Sequence, residues 1–264
     1  MAKICPLFSS SKGNSIYVGD DKSGILVDAG KSAKQIELAL SENNINVKNI
    51  KGIFITHEHS DHVQGVKIFA SRYNIKVFSS KGTFKALEEK GILNGKFPFE
   101  IVSDNGTEIS GMYVKPFKTP HDCVDSVGYI INTPDDKKAV IATDIGHVSD
   151  NIKNAAASAD AVVIESNHDI RMLQNGAYPY YLKKRILSDR GHLSNEACAE
   201  ILPFLIKKGT KKFILAHLSQ ENNIPELAFE TAICSLKSHN MKHNVDFQLH
   251  VAPVQNHGQL CLAF

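Results

Sequence analysis

The chain has 264 residues, 42% of them hydrophobic and 22% charged, with a net charge of +2. That composition is ordinary for a globular protein with a sizeable core, and it excludes a disordered or strongly basic nucleic-acid-coating chain. No apolar run approaches the length of a membrane span, so no membrane partner is expected.

Taken in order, "KICPLF" reads as a first strand, followed by the polar loop "SSSKGNS" and a hairpin of "SIYVG" and "GILVDAG" across "DDKSG". "SAKQIELALSENN" reads as a helix with Ser32 as N-cap. "IKGIFIT" is a buried strand, and "HVQGVKIFASRYN" a single helix after it. "IKVFSS" is a strand and "TFKALEEKG" a short helix closed by Gly91. Strands follow around Phe99 to Val102, Met112 to Lys118, Ser126 to Thr133 and Ala139 to Ala142, the last two joined through "NTPDDKK". "AVVIES" and "KKFILAH" are strands, with helices near Pro179 to Ser188 and Asn195 to Lys207. "IPELAFETAICSLKSHN" is a helix, and "VDFQLHVA" and "GQLCLAF" close the chain as strands. Two strand-rich halves with flanking helices predict two packed sheets covered by helices outside.

Five scattered cysteines without a CxxC pair read as neither a disulfide framework nor a zinc–thiolate site, and a reducing cytoplasm is the expected compartment. The basic groups Lys183, Lys184, Arg185 and Arg190, and Lys207, Lys208, Lys211 and Lys212, read first as solvated faces.

The chemistry concentrates in "ITHEHSDHVQG", where His57, His59, Asp61 and His62 follow a strand within one tight turn. Three imidazoles and a carboxylate suit a borderline divalent ion, and alternate side chains of such a turn can serve two neighbouring ions. Three more ligand types end apolar strands: His121 in "KTPHDC", Asp144 in "VIATDIG" and His217 in "FILAHLS". Sites in α/β architectures gather at such strand ends. The "SSSKGNS" loop offers Ser10 and Lys12 as weaker phosphate contacts.

These motifs, in this order and spacing, resemble the metallo-β-lactamase superfamily. The resemblance implies an αββα sandwich and two divalent ions. His57, His59 and His121 would hold one ion, Asp61, His62 and His217 the other, and Asp144 would bridge. All-N/O ligation suits zinc, manganese or iron. Glyoxalase II-like thioesterases share these ligands, so a small-molecule metallohydrolase, thioesterase or lactonase, is the alternative. "VIESNHD" and "DRGHLSNEACAEI" resemble the phosphodiesterase branch, in which a glutamate and a histidine assist the leaving group; here these are Glu165 and His192, although Leu193 interrupts the Gly-His-Ser pattern. The strings "LFSSSKGNSIYV", "TPHDCVDSVGY", "ATDIGHVSD" and "AHLSQENN" resemble, more closely still, the WalJ/YycJ-type bacterial exonucleases. That implies a dinuclear phosphodiesterase acting on DNA from 5′ to 3′, in one domain over residues 1–264 without a β-CASP insertion. Asp61 would also orient the nucleophile, His192, positioned by Glu165, would donate a proton, and Lys184, Arg185 and Arg190 would track the DNA backbone.

Overall fold

The computed structural model describes residues 1–264. Fourteen strands form two seven-stranded sheets. The first contains β1 (Lys3–Ser10), β2 (Gly13–Gly19), β3 (Gly24–Val27), β4 (Ile50–Ile55), β5 (Lys76–Ser79), β6 (Phe99–Ile101) and β14 (Leu262–Ala263), in the order β14-β1-β2-β3-β4-β5-β6. The second contains β7 (Thr107–Ile109), β8 (Met112–Lys118), β9 (Val127–Asn132), β10 (Lys138–Ala142), β11 (Ala161–Glu165), β12 (Lys212–Ala216) and β13 (Gln248–Val251), in the order β13-β12-β11-β10-β9-β8-β7. In each sheet an antiparallel half meets a parallel half, at β3–β4 and at β10–β11.

The central strands are apolar on both faces, as strands sandwiched between two layers must be. In β4, Phe54 points into the space between the sheets while Ile53 and Ile55 point at helices. In β12, Ile214 faces inward and Phe213 and Leu215 outward. Helices α1 (Ala33–Glu42), α2 (Ser60–Val63), α3 (Val66–Tyr73) and α4 (Lys81–Glu89) follow strands of the first sheet, and α1, α3 and α4 bury apolar residues on its outer face. Helices α5 (Asp150–Ala156), α8 (Asn195–Lys207) and α9 (Pro225–Ser238) cover the second. Two short helices, α6 (Ile170–Asn175) and α7 (Tyr180–Ile186), lie in the connection after β11. This is the αββα sandwich that the resemblance implied. No helix is long and apolar enough to cross a membrane.

Three expectations need correction. The helix expected over residues 62–74 is two helices broken at Gly65, whose N–H donates to the carbonyl of Ala29 at 2.8 Å and whose Cα leaves no room for a side chain beside the carbonyl of Lys31. Gly30 likewise lies so close to Asp61 that a Cβ there would overlap its carbonyl oxygen. The loop after β3 is thus pressed against the histidine-rich turn. Second, α5, α6 and β7 carry too few residues for a readable period and were not expected. Third, Cys5 of β1 and Cys261 beside β14 pair as a disulfide with Cα atoms 4.4 Å apart. Their 256-residue separation leaves no local signal in the sequence.

Candidate metal centre

Every ligand type sits just past the C-terminal end of a strand at one edge of the sandwich: His57 after β4, His121 after β8, Asp144 after β10 and His217 after β12, while Glu165 ends β11. Asp144 and His217 turn there with φ of 56° and 58°, left-handed conformations that non-glycine residues adopt at a cost of about 1–3 kcal/mol each. The chain accepts that cost where the strand must stop and its side chain must face the edge.

The side chains converge into overlapping groups whose ligand atoms lie within 4.8 Å of one another: His57, His59 and His121; Asp61, His62 and His217; and His57, His62 and Asp144. These are the two trios expected from the sequence, with Asp144 among them. Asp144 Oδ2 is 3.2 Å from His62 Nε2, and its Oδ1 is 3.7 Å from His121 Nε2 and 3.5 Å from His217 Nδ1.

In four of the five histidines the other ring nitrogen is fixed from behind. His121 Nδ1 donates to the carbonyl of Gly191 at 3.1 Å. His217 Nδ1 donates to Glu165 Oε1 at 2.7 Å. His62 Nδ1 donates to Asp28 Oδ2 at 2.8 Å, and His57 Nδ1 lies 3.0 Å from the hydroxyl of Thr56, which itself donates to Asp28. Such backing carboxylates and carbonyls set the tautomer of a metal-ligating histidine and raise its basicity. Asp28, buried with φ of 63°, was not expected from the sequence, where it reads as the end of a strand. Its position resembles that of Asp144, a lone aspartate after an apolar strand, and that was the available signal. Asn14, also unexpected, donates to Asp61 Oδ2 at 3.1 Å.

The chemistry of the donors fits a divalent cation. His121 Nε2 and His217 Nε2 are buried and have no hydrogen-bond partner, a costly state for polar atoms unless something else satisfies them. Burial holds His57, His59 and His121 below the ordinary histidine range, so all three are neutral and ready to ligate. In the other trio, burial opposes charge on His217, but Asp144, Asp61 and Glu165 outweigh it and raise its pKa to about 10. Burial is likewise overcome at His62 by Asp28, Asp144 and Asp61. Without an ion, protons neutralise this acidic cluster.

A cleft of about 430 Å³ opens over the centre, lined by Ser11, His59, Ser60, Asp61, Lys90, Asp144, Arg185, His192 and His217, none of them apolar. His192 Nδ1 donates to Glu165 Oε1 at 2.8 Å, and its side chain is 15% exposed at the cleft wall. Glu165 Oε2 accepts from the backbone N–H groups of Ile145 and Leu193 at 2.7 and 3.2 Å. Burial works against the Glu165 charge, but His192 and His217 prevail and lower its pKa to about 2.

The five substrate contacts expected from the sequence divide. Arg185 lines the cleft while paired to Asp122, its Nη2 3.0 Å from Oδ1. Lys184 is exposed on α7, outside the cleft, and Lys12 is exposed at the tip of the β1–β2 turn. Ser10 is fully buried and accepts from the N–H of Lys12; its neighbour Ser11 faces the cleft instead. Arg190 is turned onto the chain itself: Nε and Nη2 donate to the carbonyl of His121 at 3.0 and 2.8 Å, and Nη2 to that of Cys123 at 3.3 Å. It braces the His121 loop. Lys90, at the end of α4, had no signal in the sequence; its Nζ donates to the carbonyl of Glu58 at 2.7 Å beside the cleft.

The model of the metallo-beta-lactamase superfamily matches residues 11–217. The chain is 40% identical over 254 residues to the exodeoxyribonuclease WalJ of Streptococcus pneumoniae serotype 2, covering 94% of this chain and 93% of that protein. It is 39% identical over 226 residues to the exodeoxyribonuclease YycJ of Bacillus anthracis, 84% of each. Among solved structures, the metallo-beta-lactamase fold protein YhfI from Bacillus subtilis superposes with a TM-score of 0.74 over the whole of both chains at 13% identity, a likeness of fold. With its two sheets, its ordered ligand set and these relatives, the chain belongs to the metallo-β-lactamase superfamily.

Proposed function

We propose that this chain is a metal-dependent exonuclease that hydrolyses the phosphodiester bonds of DNA, working from the 5′ end. The observation that carries the phosphodiesterase reading is the buried Glu165 carboxylate holding His192 by its Nδ1 at the wall of the cleft. A sugar alkoxide leaves poorly and needs a proton; a thiolate does not, so a thioesterase has no use for this pair. Near-40% identity to two exodeoxyribonucleases over most of the chain supports the same choice.

In this reading His57, His59 and His121 would hold one divalent ion, zinc, manganese or iron, and Asp61, His62 and His217 a second, with Asp144 as a ligand shared by the two groups. When bound, such ions activate water as the nucleophile and neutralise charge on the phosphate. Asp61, fixed by Asn14, orients the attacking oxygen. Lys90 and Arg185 at the rim bind nonbridging phosphate oxygens. His192, its Nδ1 proton committed to Glu165, presents Nε2 to the leaving oxygen as a general acid. Residues 1–264 act as one catalytic domain without a β-CASP insertion, so elements flanking the cleft contact the DNA.

The test uses chelator-stripped protein reloaded with Mn²⁺ or Zn²⁺, on end-labelled single- and double-stranded DNA and RNA and on S-lactoylglutathione. Stepwise shortening of DNA from the 5′ end is expected. Fast thioester hydrolysis with no DNA cleavage would assign the centre to a small-molecule hydrolase.

A further inference from the structure

Helix α7 is divided sharply between two faces. Successive side chains turn by about 100°, which puts Leu182, Lys183 and Ile186 on one arc and Tyr180, Tyr181, Lys184 and Arg185 on the other. The first arc packs inward: Ile186 is buried and Leu182 and Lys183 half-buried. Lys183 Nζ donates to the carbonyls of Gln174 and Gly176 at 2.8 and 2.7 Å, which ties the helix to the turn before it. The second arc has no cover. Tyr180 is 81% exposed and Tyr181 75%, the two most exposed aromatic side chains among the large apolar residues.

Two uncovered aromatic rings interleaved with two cations match a ligand that is planar in some parts and anionic in others. Across residues 170–190 the cations Arg171, Lys183, Lys184, Arg185 and Arg190 stand against one acid, Asp189. The arc is also continuous with the cleft: Arg185 lines it and pairs with Asp122 in the loop that carries His121, and Tyr181 lies one helical turn from Arg185 on the same face.

We infer that α7 is a platform for single-stranded DNA, with Tyr180 and Tyr181 stacking on unpaired bases beyond the cleft and Lys184 meeting the phosphates between them. The inference rests on the DNA reading above and adds the strand state to it. A duplex hides its base faces and cannot use the rings, whereas a single strand offers a base to each, and stacking of this kind is indifferent to sequence. Rings held on a helix that is anchored to the His121 loop would keep the strand in register with the scissile phosphate.

The Mn²⁺-loaded Tyr180→Ala/Tyr181→Ala variant is compared with wild type on a 5′-phosphorylated 12-mer single strand and on the p-nitrophenyl ester of thymidine 5′-phosphate, which is too short to reach α7. The ratio of kcat/KM for the 12-mer to that for the ester should fall by roughly 10–100-fold, the loss expected for one or two stacked bases, and mainly through KM. Tyr180→Phe/Tyr181→Phe keeps the rings and should restore the ratio. Lys184→Gln should lower the salt slope of 12-mer binding by about 0.7, one phosphate contact on a single strand. An unchanged ratio in the alanine variant overturns the platform while leaving the nuclease reading intact. A wild-type dimer that the alanine variant converts to monomer at an unchanged ratio assigns the face to a second copy of the chain and also overturns it. Wild type that cleaves no DNA overturns both readings together.

Discussion

The carboxylate of Glu165 accepts the Nδ1 proton of His217 at 2.7 Å with the same oxygen that holds His192 at 2.8 Å. One buried anion therefore serves a residue of the proposed metal centre and the proposed proton donor. The sequence suggested only the second role, in which Glu165 positions His192, and the two substitutions consequently separate. His192→Ala should slow DNA cleavage by roughly 10²–10⁴-fold, the usual worth of a general acid, yet keep most activity on bis(p-nitrophenyl) phosphate, whose leaving group needs no proton. Glu165→Gln should lose activity on both substrates and bind metal about 10–100-fold more weakly, as expected when the group behind a ligating histidine is removed. Metal content and the two kcat values decide; an unchanged metal affinity in Glu165→Gln would confine that residue to His192.

Asp28 stands behind His62 directly and behind His57 through Thr56. Asp28→Asn is a clean test because asparagine tolerates the left-handed backbone found there. The variant should fold and should bind Mn²⁺ or Zn²⁺ roughly 10–100-fold more weakly, read by competition with a chromogenic chelator. Wild-type affinity would reduce Asp28 to a support of the loop.

The two trios should load with different proton stoichiometry. In the metal-free chain His217, with a pKa near 10, and His62, also raised, both carry protons at neutral pH, whereas His57, His59 and His121 do not. Ligation requires neutral imidazole. At pH 7.5, calorimetric titration of stripped protein in buffers of different ionisation enthalpy should show one ion displacing more than one proton and the other close to none. Affinity for the first of these should rise with pH between about 6.5 and 10. The same shift makes the stripped fold pH-sensitive: a raised folded pKa stabilises fully below about 6.5, and that contribution fades as pH climbs through about 10. Thermal melts should therefore fall more on the alkaline side for stripped protein than for loaded protein. Equal proton release by both ions would contradict this division.

Lys90 should take the substrate role that the sequence suggests for Arg190, and Arg190 should support the His121 loop instead. Lys90→Met should raise KM for DNA by roughly tenfold, as for loss of a charge-assisted hydrogen bond, with metal content intact. Arg190→Ala frees the carbonyls of His121 and Cys123 and should lower metal affinity or thermal stability before it alters the salt dependence of DNA binding. Metal analysis beside KM at several salt concentrations distinguishes the two; a flatter salt slope with full metal content in Arg190→Ala would return that residue to the DNA.

The sequence by itself determined the local parts. Apolar runs such as "IFIT" and "FILAH" specify strands buried on both faces, Ser32 specifies a helix start that the structure closes with a capping box, and the turn from His57 to His62 crowds ligand types into six residues. Each of these depends on neighbours within a turn or two, so the information lies in the string. The tertiary structure decided which distant groups stand behind them. Asp28 reaches His62 across 34 positions, Glu165 reaches His217 across 52, and Arg190 reaches the His121 carbonyl across 69. Strand order in the two sheets and the tight approach of Gly30 and Gly65 to the neighbouring loops create those meetings. A lone aspartate, an arginine or a cysteine has the same local pattern whether or not its partner arrives, because hydrogen bonds and disulfides form between atoms close in space, and spacing along the chain carries no record of that closeness.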